Sequence, residues 1–209
     1  MKPSPDKPYS VIILPQGPHF YTGLLQAAGY LLLDNQKKKI VIISQQSHAS
    51  KDILIDSTSY GPVFGQIRKK TDTQMKTLAT QLGAKLSTEK HTSLSEEMNI
   101  QLPFLRTVTE TDEILHISIG NTISQTQIRK AISWINKNFK THNIVILTNI
   151  ELSKTTKTKK SDEQNQIAKI IQTVSLSTPL LTIFQKILTS QKKKPEIVAY
   201  VNPGDFGKT

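Results

Sequence analysis

The sequence predicts an α/β protein: one domain over residues 1–209, a three-layer sandwich with helices on both faces of a mostly parallel sheet. Three observations carry this. Short β-branched runs, Val11-Ile12-Ile13-Leu14, Ile40-Val41-Ile42-Ile43 and Ile144-Val145-Ile146-Leu147, are apolar at every position, as strands buried on both faces are. Segments with apolar residues at helical spacing alternate with them. A length of 209 residues with 36% hydrophobic content suits one domain with a thin core and a polar surface.

The elements follow in order. Pro15 stops the first run, and a Pro- and Gly-containing loop reaches His19. From Tyr21 to Leu33, Leu24, Leu25, Ala28, Leu31 and Leu32 mark a helix. Ile40 to Ile43 is the second strand, so the first third reads as a βαβ unit with parallel pairing. A polar loop is expected over Ser44 to Lys51. Ile53-Leu54-Ile55 and Gly65-Gln66-Ile67 read as short strands around a turn at Gly61-Pro62. Thr71 to Leu82 is a helix closed by Gly83, and Ser95 to Leu105 is another with Pro103 near its end. Ile114 to Ile119 is a strand closed by Gly120. Ser124-Gln125-Thr126-Gln127 is a capping-box pattern opening a helix that runs to about Phe139. After Ile144 to Leu147 comes a polar loop over Asn149 to Lys160. A helix capped at Ser161, a helix over Pro179 to Thr189 and a strand over Ile197 to Val201 complete the pattern.

Composition excludes several classes. With no Cys there is no disulfide framework, thiolate zinc site or iron–sulfur cluster. No apolar run approaches the ~20 residues of a membrane helix, and Met1 to Pro8 has no signal-like apolar stretch, so a cytoplasmic protein is expected. The formal charge of +11 comes mainly from short Lys runs such as Lys37-Lys38-Lys39 and Lys192-Lys193-Lys194. No aromatics interleave with them, so they read as solvated loop ends, leaving room for weak, non-specific nucleic-acid binding at low salt. A G-x-S-x-G elbow, a G-x-G-x-x-G turn and a P-loop are all absent.

Ligands of open α/β sheets sit beyond the carboxyl ends of strands. Two loops there stand out: Pro15-Gln16-Gly17-Pro18-His19-Phe20-Tyr21-Thr22-Gly23 and Ser44-Gln45-Gln46-Ser47-His48. Together they resemble the Memo-like family (AmmeMemoRadiSam system protein B), whose loops read A-P-H-A-G-Y-x-Y-S-G and G-P-S-H. The likeness continues in order. Gln101-Leu102-Pro103-Phe104-Leu105 is similar to the end of the family's E-H-S-I-E-x-Q-L-P-F-L helix. Ile114 to Gly120 is similar to its I-x-P-I-x-x-G strand, Ile144 to Leu152 to its V-x-S-S-D-F-S-H segment, and Asn202-Pro203-Gly204-Asp205 to its N-S-G-D turn.

The resemblance implies a fold related to class III extradiol dioxygenases and a pocket lined by Gln16, His19, Tyr21, His48, Glu96 and Asn149. In the family this pocket holds a metal on His side chains, with a Cys later in the chain. Here Gln16 stands for the first His, Glu96 for the helix His, Asn99 for the helix Glu, Asn149 for the Asp and Leu152 for the late His. The Cys position falls near Ser175. His48 is the one metal ligand retained, and one imidazole does not hold a catalytic transition metal. The expectation is a diverged Memo-like protein with a degenerate pocket. It would have no catalytic residue and no resident cofactor, with iron, copper or zinc only at low occupancy, and would bind a protein partner or small molecule. Two alternatives stay open: a metal-dependent (iron or copper) oxidoreductase using His48 with His19 and Glu96, and a basic nucleic-acid-associated protein. Outside the pocket, His116 lies within a strand and reads as a satisfied core or sheet-edge residue. His91 and His142 read as loop residues, and Met98 and Trp134 as core.

Overall fold

A computed structural model describes residues 8–16, 19–46, 50–56, 72–87, 92–107, 113–138, 140–148 and 179–190. Six strands are described: β1 (Val11–Pro15), β2 (Lys39–Gln45), β3 (Ile53–Asp56), β4 (Lys85–Ser87), β5 (Glu113–Ile119) and β6 (Asn143–Thr148). Five helices accompany them: α1 (His19–Tyr30), α2 (Asp72–Leu82), α3 (Thr92–Thr107), α4 (Gln125–Asn138) and α5 (Pro179–Ser190). The strands form one sheet in the order β1-β6-β2-β5-β3-β4. All neighbours are parallel except β3 and β5, which run antiparallel. The expected α/β sandwich with a mostly parallel sheet is therefore present.

Strand alternation sorts the core into two faces. Val41, Ile43, Leu115, Ile117, Ile119, Ile144 and Ile146 point to one side. There they meet Met75 and Leu82 of α2, Ile128 and Ile135 of α4, and Leu180, Ile183, Phe184 and Ile187 of α5. Ile12, Leu14, Ile40, Ile42, Ile114, Val145 and Leu147 point to the other, against Tyr30 of α1 and Met98, Leu102 and Leu105 of α3.

Local signals hold where they were clear. Gly83 ends α2 with φ +63°, a conformation that favours glycine. The capping box at α4 forms in both directions: Gln127 N donates to Ser124 Oγ (3.2 Å), and Ser124 N donates to Gln127 Oε1 (3.0 Å). Gly29 lets α1 lie directly on β1, because a methyl group there would run into Leu14.

Several expectations change. β1 and β2 are parallel but not paired, since β6 lies between them. β2 runs on to Gln45, so Ser44 is a buried strand residue rather than the start of a loop. α3 begins at Thr92, three residues earlier than its apolar spacing indicated. β4 at Lys85–Ser87 had no sequence signal. The strands expected at Gly65 to Ile67 and Ile197 to Val201, and the helix expected after Ser161, lie outside the described residues.

Candidate functional site at the carboxyl edge

Parallel strands put their carboxyl ends on one side of a sheet, and the strand order makes β1, β6, β2 and β5 neighbours there. Gln16 follows β1 and donates its N–H to Thr148 O at 3.2 Å, which joins the ends of β1 and β6. The buried Gln26 of α1 donates Nε2 to Pro15 O (3.0 Å), tying the helix to the same point. Gln46 follows β2. Its N–H reaches Ile119 O (2.9 Å), and its Nε2 reaches Ser118 O (3.1 Å) and Asp52 O (3.0 Å).

The far side of that loop is fixed as well. Ser50 N donates to Asn121 Oδ1 (3.1 Å), and Thr122 N and Gly120 N donate to Ser50 O and Asp52 O (3.0 Å each). Gly120 is required here: a Cβ would sit 2.8 Å from Asp52 O, and backbone cannot give way cheaply. Gln46 and Ser50 are thus both held against the end of β5 and the turn that follows it.

Of the residues expected to line the pocket, Gln16 is described and half-buried at this edge. His19 and Tyr21 fall in the first turn of α1, and Glu96 falls in α3; of these three the backbone alone is described. His48 and Asn149 lie outside the described residues, as do His91, Leu152 and Ser175. The topology does bring together the strand ends from which the Gln16, His48 and Asn149 loops depart.

A second group was not anticipated. On the face covered by α1 and α3, the apolar surface gives way toward β5, β3 and β4 to Ser44, His116, Ser118, Asp56 and Ser87, all buried. Ser44 Oγ lies 2.9 Å from His116 Nε2 and 3.4 Å from Ser118 Oγ. His116 Nδ1 lies 3.7 Å from Asp56 Oδ2, with both side chains at most 2% exposed. The order hydroxyl, imidazole, carboxylate is that of a Ser-His-Asp triad, although the 3.7 Å from imidazole to carboxylate is longer than a hydrogen bond. Yet Ser44 is wholly enclosed, so no acyl group can reach its oxygen as the chain is folded here. His116 is a core histidine, as its strand position indicated. Its partners escaped notice because Ser44 and Asp56 come from other strands, joined to it by register alone.

The motif Gln101-Leu102-Pro103-Phe104-Leu105 has a structural role. Tyr30 Oη donates to Gln101 Oε1 at 2.9 Å, with both residues buried, and the Tyr30 and Phe104 rings stack at 5.9 Å. Leu102 and Leu105 fill the core beneath. Among the described residues, no group of three or more His, Cys, Asp or Glu side chains could hold a metal ion. No helix among them is long and apolar enough to cross a membrane. No protein-family model matches this chain, and no curated protein is significantly similar to it.

Proposed function

We propose that the chain is a diverged relative of the Memo-like family whose carboxyl-edge residues bind a small molecule or a protein partner without catalysing a reaction. The observation that carries this reading is the adjacency of the carboxyl ends of β1, β6 and β2 in the sheet, the three strands that the motifs follow in sequence. The donors support binding over metal chemistry. Gln16 offers an amide where a metal site of this kind needs an imidazole, and the chain has no Cys. Of the family's imidazole ligands the sequence keeps His48, and the two-His set of an oxygen-activating centre would need His19 beside it. Amides and hydroxyls instead select ligands by hydrogen bonds.

Metal retention tests the reading. The purified chain, incubated with Fe(II), Cu(II) or Zn(II) and desalted, should hold well under one equivalent, removable by imidazole. One full equivalent that survives desalting and is lost in His48→Ala would replace this reading with the metal-dependent oxidoreductase.

A further inference from the structure

Helix α1 has an inner and an outer side. Gln26, Tyr30 and, just past its end, Leu33 turn inward and are at most 2% exposed. Among the described residues, two large apolar side chains are left in water, Leu24 at 71% exposed and Leu31 at 63%. Both belong to this helix and the turn that continues it. Leu31 N donates to Ala27 O (3.1 Å), so the helical pattern runs one residue past Tyr30. At about 100° per residue, Leu24, Ala27, Ala28 and Leu31 fall on one stripe, on the side away from Gln26, Tyr30 and Leu33. Ala27 and Ala28 are half-buried there.

The stripe reads the same in both directions: Leu, Ala, Ala, Leu, with each Leu three residues from the nearer Ala. A surface of that kind is complementary to itself. A two-fold axis passing between Ala27 and Ala28 sets an antiparallel copy against it, each Leu24 meeting the other's Leu31 and the alanines meeting at the crossing. Side chains at the crossing set how near two helices come, and alanine permits a close approach. A pocket of about 280 Å³, lined by Pro8 and residues 31–36, adjoins Leu31. In this pairing Leu24 of the second copy arrives at its mouth.

Charge selects the same occupant. At +11 the chain repels a copy of itself over most approaches. From His19 to Leu33, however, there is no Lys, Arg, Asp or Glu. Two copies meet on this helix without opposing like charges, and an acidic partner finds no cation on it to pair with.

We propose that α1 is the interface of a homodimer, in which two copies pack antiparallel about a two-fold axis through Leu24, Ala27, Ala28 and Leu31. Two turns of helix make a contact below the ~1,200 Å² of a standard interface, so the dimer is a weak one, formed at micromolar concentrations. The pairing does not depend on what the carboxyl edge binds.

Sedimentation equilibrium of the full chain tests it, in about 0.5 M salt to screen the charge. Between about 10 and 500 µM the mass should rise from that of one chain toward that of two. Leu24→Gln/Leu31→Gln alters two exposed positions without changing the charge, and should weaken the association about tenfold or more. A chain that stays monomeric over this range would give the face to a different protein and overturn the proposal. So would a dimer that the double variant leaves unchanged, because its interface lies elsewhere.

Disulfides read the direction of pairing, since the chain has no Cys of its own. In the antiparallel pair Leu24 of one copy is level with Leu31 of the other, and like positions are offset by about 10 Å along the axis. A mildly oxidised mixture of Leu24→Cys and Leu31→Cys chains should therefore give linked dimers, with about fivefold fewer from either variant alone. Equal linkage in a single variant, or none in the mixture, would overturn the antiparallel pairing.

Discussion

The two faces of the sheet use the same strands for different ends. β5 sends Leu115, Ile117 and Ile119 into an apolar layer beneath α2, α4 and α5, and sends His116 and Ser118 the other way into a polar group. β3 does likewise, with Ile53 and Ile55 on the apolar side and Asp56 on the polar one. An apolar layer is indifferent to which methyl meets which, provided the volume is filled. A buried carboxylate, imidazole and hydroxyls tolerate burial only in a particular arrangement. The first face is an apolar layer, and the second adds to an apolar cluster of its own a polar group whose members must pair.

The comparison predicts where substitutions cost most. Ile146→Ala, at a fully buried position of the apolar face, should lower stability by about 4 kcal/mol, read as an earlier midpoint in urea. On the polar face the penalty should depend on pairing. His116→Leu leaves the Asp56 carboxylate buried without the imidazole and should cost about 3 kcal/mol. The double variant His116→Leu/Asp56→Leu should recover about half of that or more, because an apolar pair replaces both partners. A double variant as unstable as the sum of its singles would show that the two residues do not act together. No such recovery is expected from pairing Ile146→Ala with a second truncation on the apolar face.

The same contrast explains what could be read from the sequence. Ile40 to Ile43 and Ile144 to Leu147 announce themselves because burial on both faces leaves no polar position. Ser124 and Gln127 announce a helix start because both partners lie within one turn. Strand order was hidden: nothing in Val11 to Leu14 says that β6, more than a hundred residues later, separates it from β2. The reversal of β3 was hidden for the same reason, since Ile53-Leu54-Ile55 is equally apolar in either direction. β4 is only three residues long, with Leu86 its one apolar residue. At the candidate site the strand ends could be placed from the motifs. The Ser44, His116 and Asp56 group could not, because its members meet only through the register of β2, β5 and β3.

Between the extremes lies the apolar half of the second face, where Tyr30 buries a phenol against Gln101. Tyr30→Phe should cost about 1–2 kcal/mol at neutral pH by leaving the Gln101 carbonyl without its donor. It should also change the response to alkali. Burial pushes the Tyr30 phenol well above its ordinary range, so the folded chain favours the neutral form. The sign follows: this contribution is fully present below the unfolded phenol's pKa near 10 and is lost as pH rises above it. Denaturation followed from pH 8 to 11 should show a loss of stability that is shallower in Tyr30→Phe. Parallel slopes would mean that other groups dominate the alkaline limb.

The smallest effect should come from the most conspicuous ion pair. Lys85 Nζ lies 2.8 Å from Asp52 Oδ2, closer than His116 to Asp56, but its side chains are 69% and 40% exposed. Water and salt screen such a pair, and holding a long lysine in place offsets much of what attraction remains. Asp52 serves the fold through a different atom. Its main-chain carbonyl accepts from Gln46 Nε2 and Gly120 N, and these bonds hold the loop against the turn before α4. Lys85→Ala should therefore change stability by less than about 0.5 kcal/mol, and 0.5 M salt should erase the difference. A loss near that of His116→Leu would show that distance rather than burial ranks the polar contacts of this protein, and the contrast between its two faces would lose its physical basis.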